Sequence, residues 1–327
     1  MKAWILESVG GLQNLKLTDV PDPVPAPGEA VVEIQYAALN PADRYLAEGQ
    51  YPAKPSFPHI LGRDGIGTVV SVGKAVISPR VGEVRVLLRG DAGVNRPGTF
   101  AQKVTVPVEY LAPKPAGWSD TEAAGASLVY CTAYQALTMW EPLNVGSVVL
   151  ITGASGGVGT ASVLLAKSMG LRIVVLSRSA KKQQELLSLG ADIALDPNNP
   201  DWPKELKAKL DGRRVDLAID NIGGTLLPQV IETLGERGRV SCVGRLAGPV
   251  PSFNTASLFF KRLRIGGVHV GGYTAGEVNE VWKKIVGQLA RNDVRVPVDK
   301  IFNFDQLPAA FDRLAAGPMG KVLLKVR

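Results

Sequence analysis

The stretch that decides the fold is residues 147–170, SVVLITGASGGVGTASVLLAKSMG. It begins with the apolar run Val148–Ile151, which is short, rich in β-branched side chains and free of charge, as is typical of a parallel strand buried on both faces. After a glycine cluster, apolar residues recur at helical spacing from Val158 to Met169, and Gly170 can end a helix in the left-handed conformation. The stretch therefore predicts a strand, a tight turn and a helix.

The glycine cluster matches the dinucleotide fingerprint G-x-G-x-x-G at Ala154, Gly156 and Gly159, with alanine in place of the first glycine. Glycine at 156 allows the backbone to approach a pyrophosphate, and glycine at 159 allows the helix to pack against the strand. The N–H groups and the positive dipole end of the helix then face the phosphates. The residues expected to contact a dinucleotide here are Ser155, Gly156, Gly157 and Val158.

Length and composition bound the class of protein. A chain of 327 residues exceeds the size at which one hydrophobic core usually stops growing, so two domains are expected. The N-terminus, MKAWILESVGG, has too short an apolar stretch for a signal peptide, and no run of about 18 apolar residues occurs that could span a membrane. We therefore expect a cytoplasmic protein that does not act in a membrane.

The cysteines and the charge narrow the class further. Cys131 and Cys242 lie far apart and lack metal-ligand spacing, which fits free thiols in a reducing compartment. The net charge of +7 comes from 37 Lys and Arg against 30 Asp and Glu, scattered along the chain. This distribution favours a solvated surface with an anion site over a nucleic-acid-binding protein.

Two patterns divide the chain. Up to about Gly117, alternating segments such as Val31–Tyr36, Gly65–Val72 and Thr99–Val106 are separated by many glycines and prolines, which indicates a small irregular β-barrel or sandwich. Residues 121–140 carry small and apolar side chains at helical spacing and predict a helical linker.

Strands and helices then alternate, which predicts a parallel doubly wound sheet of about six strands. The further predicted strands are Arg172–Leu176, Ile193–Leu195, Val215–Asp220, Arg239–Val243 and Ile265–Val270. The predicted helices run from Ser179 as cap to Leu189 with Gly190 at the end, and over Trp202–Leu210, Thr225–Leu234 and Glu277–Arg291. A final strand, Lys321–Val326, is expected to return to the first domain.

Several motifs resemble the medium-chain dehydrogenase/reductase superfamily, in its zinc-independent quinone oxidoreductase and enoyl reductase branch. Besides the fingerprint they are Asn40-Pro41-Ala42-Asp43, Gly98-Thr99-Phe100-Ala101 leading to Val104–Pro107, Cys131-Thr132-Ala133-Tyr134 with Ala136-Leu137, and Gly320-Lys321-Val322. The resemblance implies an α/β protein in which a Rossmann cofactor-binding domain, residues 122–264, is inserted in a GroES-like, mainly β catalytic domain, residues 1–121 and 265–327.

The chain departs from the zinc-dependent members at each ligand position. Asn40 stands where the first cysteine ligand is expected, and Gly62-Arg63-Asp64 stands where Gly-His-Glu is expected. Two cysteines cannot form a four-cysteine structural site, and His59 and His269, the only histidines, have no plausible ligand set. We therefore expect no metal, and with it no zinc-dependent alcohol oxidation.

The choice of nicotinamide cofactor depends on the end of the second Rossmann strand, where NAD-binding sites usually place an acid. Here the sequence is Ser177-Arg178-Ser179, the first carboxylate to follow is Glu185, and Arg178, Lys181 and Lys182 offer cations for a 2′-phosphate. Related quinone reductases use a lysine where Lys182 stands. Asp196, which could repel a phosphate, argues against this assignment. NADPH is the expected cofactor, bound in part by Ser177, Arg178 and Lys182.

The resemblance implies further cofactor contacts and two candidate proton donors. The contacts are Asn40, Thr132, Asn221, Val243, Gly244, Arg245, Val268, His269 and Lys321. Tyr45 and Tyr51 match tyrosines that line the substrate pocket, and either of them, or water, can supply a proton. Asn40 is expected to orient the nicotinamide ribose or the substrate carbonyl, and Asp43 could instead cap a helix over residues 44–48.

Without a metal, the substrate must already be polarised, as a quinone, an α,β-unsaturated carbonyl compound or an enoyl thioester is. We expect an NADPH-dependent reductase of quinones or activated double bonds. The alternatives are a trans-2-enoyl thioester reductase and, in another class, a nicotinamide-binding sensor or RNA-binding protein with little turnover. A homodimer that pairs residues 264–270 is expected from the resemblance alone.

Overall fold

The computed structural model describes residues 1–248, 253–290 and 295–327. The chain divides into two compact units. The first comprises Met1–Leu128, Gly271–Lys283 and Pro297–Arg327, and the second comprises Val129–Val270 and Lys284–Val296. The boundaries expected from the sequence, at 121/122 and 264/265, lie a few residues from these, and residues 284–296 group with the second unit.

The first unit is mainly β. Its N-terminal part contains β1 (Lys2–Leu6), β2 (Leu15–Asp19), β3 (Glu29–Ala38), α1 (Pro41–Ala47), β4 (His59–Ile60), β5 (Gly65–Val72), β6 (Val84–Leu87), β7 (Lys103–Pro107), β8 (Leu111–Pro113) and α2 (Asp120–Ala124). β3 and β5 lie at the centre of its larger sheet and pair antiparallel along most of their length.

The second unit alternates strands and helices. Its elements are α3 (Ser127–Thr138), β9 (Val148–Ile151), α4 (Gly157–Ser168), β10 (Arg172–Leu176), α5 (Ala180–Leu189), β11 (Ile193–Leu195), α6 (Trp202–Lys209), β12 (Val215–Asp220), α7 (Leu226–Thr233), β13 (Leu234–Cys242), α8 (Ala256–Phe260) and β14 (Arg264–Gly267). The six strands are parallel, in the order β11-β10-β9-β12-β13-β14. The predicted doubly wound sheet is confirmed.

The remaining elements are α9 (Ala275–Leu289), β15 (Val298–Asn303), α10 (Leu307–Ala315) and β16 (Lys321–Lys325). β16 pairs with β3, so the chain's end joins the sheet of the first unit as predicted, and the sheet order is β15-β16-β3-β5-β6-β8 with β7 also on β3. Phe100 and Phe311 meet edge to face at 5.9 Å in the core of this unit. The predicted helix end at Arg291 lies outside the described residues.

Local signals account for most element ends. Ser179 caps α5 through a hydrogen bond from the Lys182 N–H to its hydroxyl, and Gly190 ends the helix in the left-handed conformation, as predicted. The single linker helix predicted over 121–140 is wrong: α2 ends at Ala124 with Gly125 as its C-cap, and a separate helix, α3, begins at Ser127. The strand predicted over 265–270 runs from Arg264 to Gly267, and Val270 belongs to a 3₁₀ turn instead.

Two further expectations from the sequence need correction in the first unit. Thr99 lies outside a strand, and the strand predicted over 99–106 begins at Lys103. The helix predicted over 44–48 begins at Pro41, so Asn40 is its cap and Asp43 is its third residue; the Asp43 carboxylate accepts the Asn40 backbone N–H at 2.9 Å. None of the helices in the described ranges is both long and apolar enough to cross a membrane.

Candidate active site

The turn after β9 carries its left-handed residue one position before the fingerprint alanine. Gly153 has φ +56°, whereas Ala154 is fully buried and lies outside the left-handed region. The alanine in the fingerprint therefore introduces no strain. A Cβ on Gly159 would lie 2.5 Å from the Ala154 Cα, so glycine at 159 is required for α4 to pack against this turn.

The start of α4 presents backbone donors outward. Gly156 is the N-cap residue, no side chain caps the helix, and a Cβ at 156 would meet only the Gly153 carbonyl oxygen, at 3.5 Å. Ser155, Gly157 and Val158 surround this open end. A helix end with uncapped N–H groups and clear space in front of the cap fits a pyrophosphate.

Asn221 lies at the carboxyl end of β12, next to the end of β9. Its amide donates to the Thr152 carbonyl oxygen at 2.8 Å, and the Thr152 hydroxyl donates to Asp220 at 2.6 Å. The Asn221 Oδ1 is buried and has no hydrogen-bond partner among the described residues. An orphaned buried acceptor at this edge fits a ligand donor such as a ribose hydroxyl or a carboxamide.

The other predicted contacts of this unit follow the neighbouring strands at the same edge. Val243 and Gly244 donate their backbone N–H groups to the Asp220 carbonyl at 2.8 and 3.2 Å. Val268 donates to the Cys242 carbonyl at 2.9 Å, and Arg245 and His269 are exposed. Thr132 is half-buried on α3. Burial and Asp220 raise the pKa of the Cys242 thiol to about 11, so it stays protonated.

The end of β10 carries the cations expected at a 2′-phosphate. Ser177 is buried and its hydroxyl accepts the Ser179 N–H at 3.4 Å, while Arg178 is exposed and Lys182 is half-buried in the first turn of α5. Lys181 instead faces Glu185 at 4.0 Å. Asp196 accepts the Asn198 N–H at 2.9 Å just after β11.

In the first unit, Asn40 and Lys321 are joined. Lys321 is buried, and its ammonium donates to Asn40 Oδ1 at 2.7 Å, to the Leu39 carbonyl at 3.0 Å and to Asp64 at 3.4 Å. Burial lowers the pKa of Lys321 and raises that of Asp64, and the attraction between the two opposes both shifts. The Asn40 side chain is thus held in one orientation by a buried ion pair.

A second buried group surrounds Tyr51. Arg63 donates to Asp43 at 2.9 Å and lies over the Tyr51 ring, with its guanidinium carbon 4.8 Å from the ring centre. Arg89 is 6% exposed and close enough to Tyr51 to interact with it electrostatically. Tyr51 is itself half-buried, as is Tyr45 on α1.

These side chains do not fit a catalytic zinc ion. Position 40 carries an amide, position 63 carries a guanidinium, and the carboxylate at position 64 is bound by the Lys321 ammonium. Zinc prefers thiolate, imidazole and free carboxylate ligands. Within the described ranges, no group of three or more His, Cys, Asp or Glu side chains is placed to hold a metal ion.

From the sequence, Arg63 was noted only because it replaces the histidine of a zinc motif, and no role was predicted for Arg89. An arginine at the end of an apolar run, as in Val-Leu-Leu-Arg, is typical of a strand that leaves the core for solvent. The contact with Tyr51 depends on the meeting of two loops, for which the sequence carries no local signal.

Two family models match the chain. One, described as "Alcohol dehydrogenase GroES-like domain", matches residues 26–116, and the other, "Zinc-binding dehydrogenase", matches residues 157–289. The first match confirms the expected GroES-like character of the mainly β unit.

Curated relatives cover most of the chain. A mouse protein named synaptic vesicle membrane protein VAT-1 homolog is 29% identical over 99% of this chain and 83% of its own length. A zinc-type alcohol dehydrogenase-like protein of Schizosaccharomyces pombe is 30% identical over 89% of this chain and 85% of its own length. A Mycobacterium tuberculosis polyketide synthase subunit is 30% identical over 73% of this chain, but over only 11% of its own length.

Solved structures share the whole fold. A protein described as an NAD-dependent alcohol dehydrogenase superposes with a TM-score of 0.92 at 28% identity, and each chain is covered completely. Escherichia coli quinone oxidoreductase in complex with NADPH superposes with a TM-score of 0.90 at 25% identity, again over both complete chains.

Proposed function

The chain belongs to the medium-chain dehydrogenase/reductase superfamily, in its zinc-independent quinone oxidoreductase-like branch, and from that premise we propose that it reduces quinones or α,β-unsaturated carbonyl compounds with NADPH and without a metal. The single observation that carries the proposal is the replacement of the zinc-ligand positions by a buried set of ion pairs. Lys321 engages Asn40 and Asp64, and Arg63 engages Asp43.

A substrate without a Lewis acid at its carbonyl must already be electrophilic at the carbon that accepts hydride. When bound, NADPH supplies that hydride. The protein's part is to hold hydrogen-bond donors toward the oxygen on which negative charge develops, and the hydroxyls of Tyr51 and Tyr45 are the candidates in the first unit. Either tyrosine, or water, then delivers the proton.

NADPH rather than NADH is proposed because of the cations after β10. Arg178 and Lys182 lie where NAD-binding proteins usually place a carboxylate, and Lys181 has its own carboxylate partner. Among the similar solved structures, one contains NADPH and another is described as NAD-dependent.

The activity is tested by following NADPH absorbance with naphthoquinone, phenanthrenequinone and a 2-alkenal. The control pair is a saturated ketone with NADPH and the corresponding saturated alcohol with NADP+. We expect turnover with the activated acceptors, unchanged after EDTA treatment and dialysis, and none with the control pair. Activity that EDTA removes and zinc restores would contradict the metal-free proposal. An absence of turnover with every acceptor, together with salt-sensitive RNA retention, would instead favour a binding protein.

The cofactor preference is tested with Arg178→Ala combined with Lys182→Ala. Because both cations are lost, we expect the Michaelis constant for NADPH to rise at least about tenfold, while that for NADH changes little. Lys181→Ala is the matched control, since this lysine faces Glu185, and its kinetics should resemble those of the wild type. Equal changes for both cofactors in the double variant would refute the phosphate site.

A second candidate is a trans-2-enoyl thioester reductase. The match of 73% of this chain to one segment of a polyketide synthase subunit favours a thioester acceptor. If this candidate is right, kcat/KM with crotonyl-CoA will exceed that with the 2-alkenal of the same chain length. A lower value for the thioester would leave the quinone and enone assignment in place.

A further inference from the structure

The buried charges of the first unit do not balance. Among its described residues, the buried charged side chains are Arg63, Arg89, Lys321, Asp43 and Asp64, which is three cations against two carboxylates. They form one cluster, since Asp64 interacts with Lys321 and Asp43, and Arg63 with Asp43 and Arg89. His59, which is also buried, adds no charge, because burial lowers its pKa.

Arg89 is the cation left without a carboxylate. Lys321 has Asp64 at 3.4 Å, and Arg63 has Asp43 at 2.9 Å. The groups that act on Arg89 are Arg63, which repels it, the hydroxyl of Tyr51, and the exposed Asp91 at longer range. Within the described part of the chain, no carboxylate forms an ion pair with Arg89.

A buried, unpaired guanidinium is costly in free energy, because removal from water is not offset by a hydrogen-bonded anion. Arg89 lies beside a second guanidinium, which increases this cost. Such an arrangement is expected where a ligand brings the missing negative charge. The surplus of one positive charge matches a monoanion, and the planar fork of a guanidinium matches a carboxylate.

Tyr51 gives the position of the anion. Arg63 covers the face of its ring at 4.8 Å, and Arg89 lies within electrostatic range of its hydroxyl. Tyr51 is half-buried and belongs to the segment 49–58, in which most residues are exposed. The phenol thus lies between the surface and the buried guanidinium groups.

We propose that Arg89, together with Arg63 and the Tyr51 hydroxyl, binds the carboxylate of the reducible substrate, which leaves Tyr45 or water to deliver the proton. The acceptor is then an α,β-unsaturated carbonyl compound that carries its own carboxylate. This inference rests on the proposed function, because it names the substrate class of the same reductase. Arg89 determines specificity, and hydride transfer does not require it.

The site is tested first by binding. The probes are benzoylpropionate and its methyl ester, which lack the reducible double bond and differ only by the charge, titrated by calorimetry into the protein saturated with NADPH. We expect the acid to bind about tenfold or more tightly than the ester. Equal affinities for the acid and the ester in the wild type would overturn the proposal without any variant.

Substitutions then assign the preference to Arg89. Arg89→Leu should reduce the affinity for the acid to that for the ester, and Arg89→Lys should retain part of the preference, because the charge remains but the fork is lost. Arg85→Leu is the matched control on β6, because this arginine is ion-paired with Glu83, and it should keep the full preference. An unchanged preference in a folded Arg89→Leu protein would refute the site.

Turnover separates this inference from the proposed function. The alkenes that correspond to the two probes are benzoylacrylate and its methyl ester. If the acid probe binds through Arg89 but neither alkene oxidises NADPH, the reductase proposal fails and the anion site stands. If both alkenes are reduced with equal kcat/KM and the two probes bind equally, the reductase stands and the anion site fails.

Discussion

At the residue scale, two glycines of one motif have different physical tasks. A Cβ at Gly159 would lie 2.5 Å from backbone atoms of Gly153 and Ala154, whereas a Cβ at Gly156 would meet only one atom, at 3.5 Å. Gly159 is needed by the fold, because α4 could not approach the turn if this residue had a side chain. Gly156 is needed by the proposed ligand, because a side chain there would occupy the open space in which we place the pyrophosphate.

This difference is testable with one methyl group at each position. Gly159→Ala should lower Tm by several degrees, because overpacking of this kind costs about 1–3 kcal/mol. Gly156→Ala should keep the wild-type Tm without ligand and weaken NADPH binding severalfold. Calorimetric scans and NADPH titrations check both, and a Gly156→Ala protein with unchanged NADPH affinity would contradict the assigned pyrophosphate position.

His59 is the other single residue with a measurable consequence. It is 3% exposed, and its burial, together with the charge of Arg63, lowers its pKa, while the Gly93 backbone opposes this shift. As the pH falls, the His59 ring of the unfolded chain therefore binds a proton near pH 6.5, whereas the ring in the folded protein binds it only at a lower pH. This contribution to stability is complete above the unfolded pKa and is lost as the pH falls toward the lowered, folded value.

We therefore expect Tm to fall between about pH 7 and pH 5 and part of this fall to disappear in His59→Gln. His269→Gln is the control, because His269 is exposed and is the only other histidine. Tm is measured across this pH range for the three proteins. The same pH dependence in His59→Gln and in the wild type would show that the buried ring is not responsible.

At the scale of elements, β14 is the edge of the parallel sheet. It pairs only with β13 among the described strands, and Ile265 is 40% exposed, with Phe259 and Phe260 exposed on the preceding helix. An open edge strand beside exposed apolar side chains invites pairing with another chain. The homodimer expected from the resemblance would cover this edge.

If β14 pairs with a second copy, Ile265→Lys should convert the protein to a monomer, because a charge would be buried in the interface. Ile77→Lys is the control, since Ile77 is an equally apolar, exposed residue of the first unit. Sedimentation velocity distinguishes the two states. A wild-type protein that sediments as a monomer would contradict the homodimer, and a dimeric Ile265→Lys protein would place its interface elsewhere.

At the scale of the whole molecule, the net charge belongs to one unit. The second unit has 19 Lys and Arg against 12 Asp and Glu, whereas the first has 18 of each. The whole net charge of +7 therefore lies on the second unit, which carries the proposed cofactor site. A field of this sign attracts a dinucleotide phosphate and weakens with salt.

The Michaelis constant for NADPH should accordingly rise severalfold between about 0.05 M and about 0.5 M salt, while that for an uncharged quinone stays nearly constant. Steady-state kinetics at fixed pH check the two constants. A parallel rise of both would indicate a general salt effect on the enzyme and would contradict electrostatic attraction of the cofactor.

The sequence by itself determined the doubly wound sheet and its glycine-rich turn. Four of the six strands were predicted with at most one residue of error at either end, because the buried apolar runs and the caps at Ser179 and Gly190 are local signals. The sequence also predicted that the candidate cofactor residues lie at one edge of the sheet, because they follow parallel strands, whose carboxyl ends share that edge.

Only the tertiary structure decided how the charges of the first unit are paired. Asp43, Arg63, Arg89 and Lys321 come from four separate segments, and nothing in their spacing indicates that Lys321 holds Asn40 or that Arg89 reaches Tyr51. These contacts form only when β16 pairs with β3 and the loops meet. The physical reason is that electrostatic pairing depends on distance in space and on burial, which a local pattern does not contain.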